Sequence, residues 1–170
     1  MMKIRLLDLP MTAIGLCAVL GSAALADSSE RPSGPTNDLI RLSQSWWGTP
    51  IEEFPKKAGL QPGEYSVSDH PSRSGVKVVV VTPQAAARWE PKELPAFEFD
   101  FSPAVGLQEI SGFYKGTQKD VLAALTSRYG KHNREVEVLG MRAYGWEFDK
   151  SYLDLTYSNY NLIPKRQSLR

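Results

Sequence analysis

The chain holds two histidines, His70 and His132, and they set narrow limits on the chemistry it can do. His70 stands in Ser68-Asp69-His70-Pro71, where a hydroxyl, a carboxylate and an imidazole follow one another. Nucleophile, base and orienting acid must converge in space. Neighbours on an extended chain point to opposite sides, so Asp69 and His70 read as a solvated loop. His132 follows Gly130 at the end of an expected helix, where the negative end of the dipole favours a cation. A zinc site would want His pairs at helical spacing, and neither histidine has a partner histidine three or four positions away. The acidic pairs are no more specific. Glu52-Glu53 suits the first turn of a helix, and Glu135 with Glu137 marks the wet face of a strand. The sequence has no P-loop, dinucleotide fingerprint, G-x-S-x-G or H-E-x-x-H motif. No catalytic residue, metal or cofactor is therefore expected.

Tryptophans carry the better binding signal. Trp46 and Trp47 are adjacent, and on a helix adjacent residues lie about 100° apart. One can face the core while the other lies at its edge, available as a protein hot spot or a platform for sugar rings. Trp89 sits beside Arg88 and Glu90 in a connection containing Pro83, Pro91 and Pro95. Trp46, Trp47 and Trp89 are the candidate contact residues, and the irregular stretch from Arg88 to Pro95 is a candidate contact loop.

Composition points to export. Lys3 and Arg5 precede an apolar run from Met11 to Ala24, and Ala24-Leu25-Ala26 ends it. That is the pattern of a secretory signal peptide cleaved after Ala26, too short to span a bilayer as a helix. Cys17, the single cysteine, falls inside it behind Leu16, so neither a lipid anchor nor a disulfide in the mature chain is expected. The leader takes Lys3, Arg5 and Asp8 from the chain's 20 basic and 19 acidic side chains, leaving 18 of each. A net charge of zero argues against a nucleic-acid or polybasic membrane-surface binder. The expected layout is a signal peptide over 1–26, a polar lead-in over 27–35, one domain over 36–164 and a basic tail over 165–170. Its place is the periplasm or the exterior.

The elements that must position any site follow from periodicity. Leu39, Ile40, Leu42, Trp46 and Trp47 suit a short N-terminal helix over 37–47, capped by Thr36 or Asn37. Thr49 with Glu52 suggests a capping box, Pro50 fits the first helical position, Pro55 limits that helix and Gly59 closes it. Strands are expected over 64–68, 76–82, 97–101, 107–114, 134–139, 142–149 and 151–158. Phe97, Phe99 and Phe101 alternate with acids, Tyr144, Trp146 and Phe148 share one face, and Leu153, Leu155 and Tyr157 share another. The main helix runs over 117–129, capped by Thr117, with Val121, Leu122, Leu125 and Tyr129 on its buried side. The fold class is α+β, an antiparallel sheet packed on that helix. A faint internal echo sets Gly48-Thr49, a helical turn and Gly59 ahead of strands, as Gly116-Thr117, a helix and Gly130 are. Two such units side by side would make one continuous sheet with helices on one face, although chance explains the few shared residues better.

Residues 116–157, reading G-T-x-x-D-V-x-x-x-L, then Y-G-K, W and L-x-L-x-Y, resemble small bacterial envelope modules. These include the SmpA/BamE outer-membrane assembly lipoproteins and the tandem β-lactamase inhibitor proteins. The resemblance implies a non-enzymatic protein-binding module and carries over no functional residue. The leading expectation is thus an exported, soluble, non-catalytic module with a protein partner in the envelope: an inhibitor, an immunity-type protein or an assembly accessory. A binder of cell-wall glycan or a small ligand, and a small hydrolase using His70, are the alternatives.

Overall fold

Alternating apolar and polar residues build most of the framework. In the computed structural model the described residues are 37–166; the expected signal peptide over 1–26, the expected lead-in over 27–35 and the last residues of the expected basic tail lie outside them. Among the described residues there are four helices: α1 (Leu39–Trp46), α2 (Phe54–Lys57), α3 (Pro83–Ala86) and α4 (Gln118–Tyr129). Eight strands accompany them: β1 (Tyr65–Asp69), β2 (Lys77–Val81), β3 (Glu98–Ser102), β4 (Gly106–Phe113), β5 (Arg134–Val138), β6 (Met141–Glu147), β7 (Ser151–Leu155) and β8 (Asn159–Pro164). All pairings are antiparallel, in one sheet ordered β1-β2-β3-β4-β8-β7-β6-β5. The expected α+β class is the fold observed. The sheet consists of two four-stranded meanders, each preceded by helix, joined through β4 and β8.

One face of the sheet carries the core. Val79 and Val81, Phe99 and Phe101, Leu107 and Ile110, Tyr160 and Leu162, and Leu153 and Leu155 line it from successive strands. Val121 and Leu125 of α4 and Leu39, Ile40 and Trp46 of α1 pack into the same cluster. Each large apolar side chain buried this way stabilises the fold by about 1.5–3 kcal/mol. On the opposite face Ser66, Val80, Glu98, Ser111, Asn161 and Asp154 lie in register with one another and alternate along each strand with the core residues, as period two requires.

Asp38 fixes how α1 lies. Its carboxylate accepts from the Arg41 backbone N–H at 3.2 Å, so it is the N-cap, one residue later than the expected Asn37. The same carboxylate, buried, accepts from Tyr129 Oη at 2.9 Å and lies 3.4 Å from Arg128. The start of α1 is thereby bound to the end of α4. Backbone bonds from Leu39 N to Glu90 O (2.7 Å) and from Glu90 N to Asn37 O (3.0 Å) tie it to the β2–β3 connection as well. At α4 the expected cap is present: Thr117 Oγ1 accepts from Asp120 N at 3.2 Å.

Several local expectations need correction. The capping box at Thr49 does not form, because Thr49 Oγ1 instead accepts from Lys57 Nζ at 3.0 Å. Pro55 opens α2 rather than limiting it, since the first turn needs no proline N–H. Tyr157 is exposed in the turn after β7, not on the Leu153 face. β8 was not expected at all. Its Tyr160 and Leu162 alternate with asparagines, and a strand ending in Pro164 reads as irregular.

Candidate binding groove

Adjacent helical residues diverge, and the tryptophan pair does so here. Trp46 points into the core, 5.6 Å from the Trp89 ring, 5.7 Å from Phe54 and 6.2 Å from Phe99, each edge-on. Trp89 packs 5.6 Å from Phe99 in the same cluster. Both belong to the interior. Trp47, the C-cap of α1, is also buried in the core cluster at 8% exposure, and it lines a groove of about 790 Å³ as well.

Two close backbones make that groove. Leaving α1, the chain turns at Gly48, whose φ of 76° is left-handed, and runs against the β3–β4 turn. Gly48 N donates to Leu107 O at 3.1 Å, and Leu107 N donates to Thr49 O at 2.9 Å. Gly106 sits at the crossing with φ 71°, and a Cβ there would fall 2.6 Å from both Gly48 C and Thr49 O. Only glycine allows this approach. Pro50, Ile51 and Glu52 then form one wall and Ser102 to Gly106 the other, with Phe101, Val67 and Lys77 contributed by the sheet. Apolar side chains supply most of the lining residues, while backbone groups, Ser102 and the two charges Glu52 and Lys77 make nearly half of its surface polar. Lys77 is exposed and 2.6 Å from Asp69. Trp47 Nε1 is buried and meets no acceptor within the protein.

A second polar cluster lies on the other face of the sheet. The β1–β2 loop carries His70 and Arg73 to Asp100 of β3 and Glu109 of β4. Arg73 pairs with Asp100 and, at 2.8 Å, with Glu109. His70 Nε2 is 3.7 Å from Asp100 Oδ2. Asp69 and His70 leave β1 on opposite faces, one toward Lys77 and the other toward Asp100. The acid facing His70 is therefore distant in sequence, which adjacency could not reveal. Ser72 Oγ is 3.4 Å from His70 Nδ1, so serine, histidine and aspartate do come together. Yet Nδ1 already accepts the backbone N–H groups of Ser72 at 3.1 Å and Arg73 at 3.0 Å. A general base needs that lone pair free for the serine proton. The geometry suits a clamp that holds the loop over Val78 and Asp100, both buried. His132, the other histidine, packs edge-on against Tyr144 at 4.9 Å and Trp146 at 5.9 Å. Among the described residues no group of three or more His, Cys, Asp or Glu is placed to hold a metal ion.

The connection over 88–95 is packed rather than free. Pro91, Leu94 and Pro95 are buried. Arg88 donates to Gly59 O at 3.2 Å and pairs with Glu64. That pairing, after the backbone N–H of Gln61, holds the Glu64 carboxyl below its ordinary range. Lys165, at the start of the basic tail, is tied down by Glu147 at 2.7 Å.

No family model matches the chain, and no curated protein matches it. Among solved structures a match is found to a DUF4309 family protein, YjgB, from Bacillus subtilis. The identity is 12%, the match covers 75% of this chain and 94% of that one, and the TM-score is 0.38. A likeness this loose carries no functional argument. Among the described residues no helix is long and apolar enough to cross a membrane.

Proposed function

We propose that this protein is an exported, non-catalytic binding module of the bacterial envelope, and that it takes a protein partner in the groove beside Trp47. The observation that carries the reading is the groove itself, about 790 Å³, lined by Trp47, Pro50, Ile51, Val67, Phe101 and Val105 and edged by Glu52 and Lys77. An inserted partner segment would cover the apolar side chains there and meet Glu52 and Lys77 at the edge. Export rests on the leader over 1–26, and a non-catalytic role is supported by the engagement of His70 Nδ1 with backbone donors. Of the three tryptophans expected to make contact, Trp47 is the one at the groove; Trp46 and Trp89 act through the core that positions it.

The test is capture from envelope extract by the processed wild-type protein and by Trp47→Ala, with a thermal melt confirming that the variant folds. A stoichiometric protein held by wild type and lost by folded Trp47→Ala supports the reading. Equal capture by both places the interface elsewhere. No captured protein, with retention on purified peptidoglycan, assigns the groove to glycan instead.

A further inference from the structure

The two edges of the sheet are built differently. β5 reads Arg-Glu-Val-Glu-Val, and charges along an edge discourage pairing with another chain. β1 reads Tyr-Ser-Val-Ser-Asp, with a single charge at its end. Its pairing to β2 runs in unbroken register from Tyr65–Val81 to Asp69–Lys77, with no bulge and no proline. Ser66, Val67, Ser68 and Asp69 are exposed, and half of the Val67 surface is open to water.

The hydrogen-bond phase of this edge is fixed. Thr82 N donates to Glu64 O at 2.8 Å and His70 N donates to Val76 O at 2.9 Å, at the two ends of the β1–β2 ladder. Alternation along an antiparallel pair then turns the N–H and C=O of Ser66 and Ser68 toward β2, and those of Tyr65, Val67 and Asp69 away from it. Among the described residues none of these outward backbone groups has a partner. They are also symmetric about Val67.

From this we infer that β1 pairs with β1 of a second copy, antiparallel and with the two-fold axis at Val67, making one continuous sheet across the dimer. In that register Val67 faces Val67, Tyr65 faces Asp69 and Ser66 faces Ser68. Every outward N–H and C=O of the strand is then bonded, each face of one sheet continues the same face of the other, and no like charges oppose. Shifting the axis by one residue leaves outward groups unpaired. A five-residue edge is small beside the roughly 800 Å² per partner of a stable complex, so the association depends on concentration.

Sedimentation equilibrium of the full chain as the cell processes it, over a wide concentration range, tests this. Two variants accompany it. Val67→Pro removes the outward N–H while sparing the ladder to β2, because a proline is accepted where an edge N–H faces solvent. Val67→Lys sets two ammonium groups against each other at the axis. The expected result is a wild-type monomer–dimer equilibrium and a monomer for each variant that melts as a folded protein. A monomeric wild type overturns the pairing and leaves the edge to a strand of another protein. A dimer that survives in either folded variant also overturns it.

Discussion

Gly106→Ala is the perturbation that most sharply tests how the groove is made. The new methyl would lie 2.6 Å from Gly48 C and Thr49 O and closer still to Gly48 O, all backbone atoms without side-chain freedom. A φ of 71° adds the left-handed penalty of about 1–2 kcal/mol for an L residue. Relief of the overlap must separate the β3–β4 turn from the α1–α2 link, which breaks the bonds between Gly48 N and Leu107 O and between Leu107 N and Thr49 O. At about 0.5–1.5 kcal/mol each, the summed loss is about 2–5 kcal/mol. Gly59→Ala is the control. Its φ is 70°, but nothing lies within 4 Å of the added carbon, so it carries the conformational penalty alone. Urea unfolding with a common m value gives the difference directly. Gly106→Ala should unfold at a clearly lower midpoint than Gly59→Ala and should also lose the partner. Equal midpoints for the two variants would refute the close approach as the device that sets the groove.

Three further outcomes follow from the same geometry. Arg73→Ala strips the cation from Asp100, whose side chain is 3% exposed; breaking a buried pair costs about 3–5 kcal/mol, and partial exposure of Arg73 lowers the expected loss to about 2–4. Arg73→Ala/Asp100→Asn should recover part of that loss in the same chemical denaturation, and no recovery would contradict the pairing. The Tyr129 hydroxyl is pushed above the ordinary phenol range, first by burial and then by the neighbouring Asp38 charge, and burial does the same for Tyr160. Both contributions favour the neutral phenol in the folded state, so they are complete below pH about 10 and vanish as pH rises beyond it. Tyr129→Phe should therefore flatten the alkaline fall in stability, measured by melts from pH 8 to 12; an unchanged slope would count against it. Trp47→Phe removes the unpartnered indole donor as well as apolar area, and these offset, so stability should change by under about 1 kcal/mol while partner capture weakens. A large loss of stability would mean that the Trp47 donor is satisfied within the fold.

Seven of the eight strands were legible, some through one-sided alternation as in Phe97–Phe101 and Tyr144–Phe148, and the one over 76–82 through the β-branched run Val78–Val81. β8 escaped because its polar partners are asparagines, which read as turn formers, and because tertiary pairing with β4 and β7 overrides that preference. The groove was half legible. The divergence of Trp46 and Trp47 follows from helical geometry, but the opposite wall, Ser102 to Gly106, lies more than fifty residues away and announces itself only as a turn. The Arg73–Asp100–Glu109 cluster left no local signal. Its members come from a loop and two strands whose register aligns Asp100 with Glu109. The capping box at Thr49 failed for a related reason, since a lysine eight residues on competes for the hydroxyl. Trp89 looked like a surface residue because its neighbours are charged, whereas Arg88 and Glu90 turn outward to Glu64 and Arg128 and leave the indole to the core.

Site-specific photo-crosslinking tests the central claim most directly. A photoreactive residue at Ala104, on the groove wall, is compared in cells with the same residue at Leu139, in the exposed turn between β5 and β6 at the opposite edge of the sheet. One protein adduct from Ala104, absent from Leu139 and lost when Trp47→Ala is added, is the result predicted. No adduct from Ala104, or the same adducts from both positions, would contradict a partner seated in the groove.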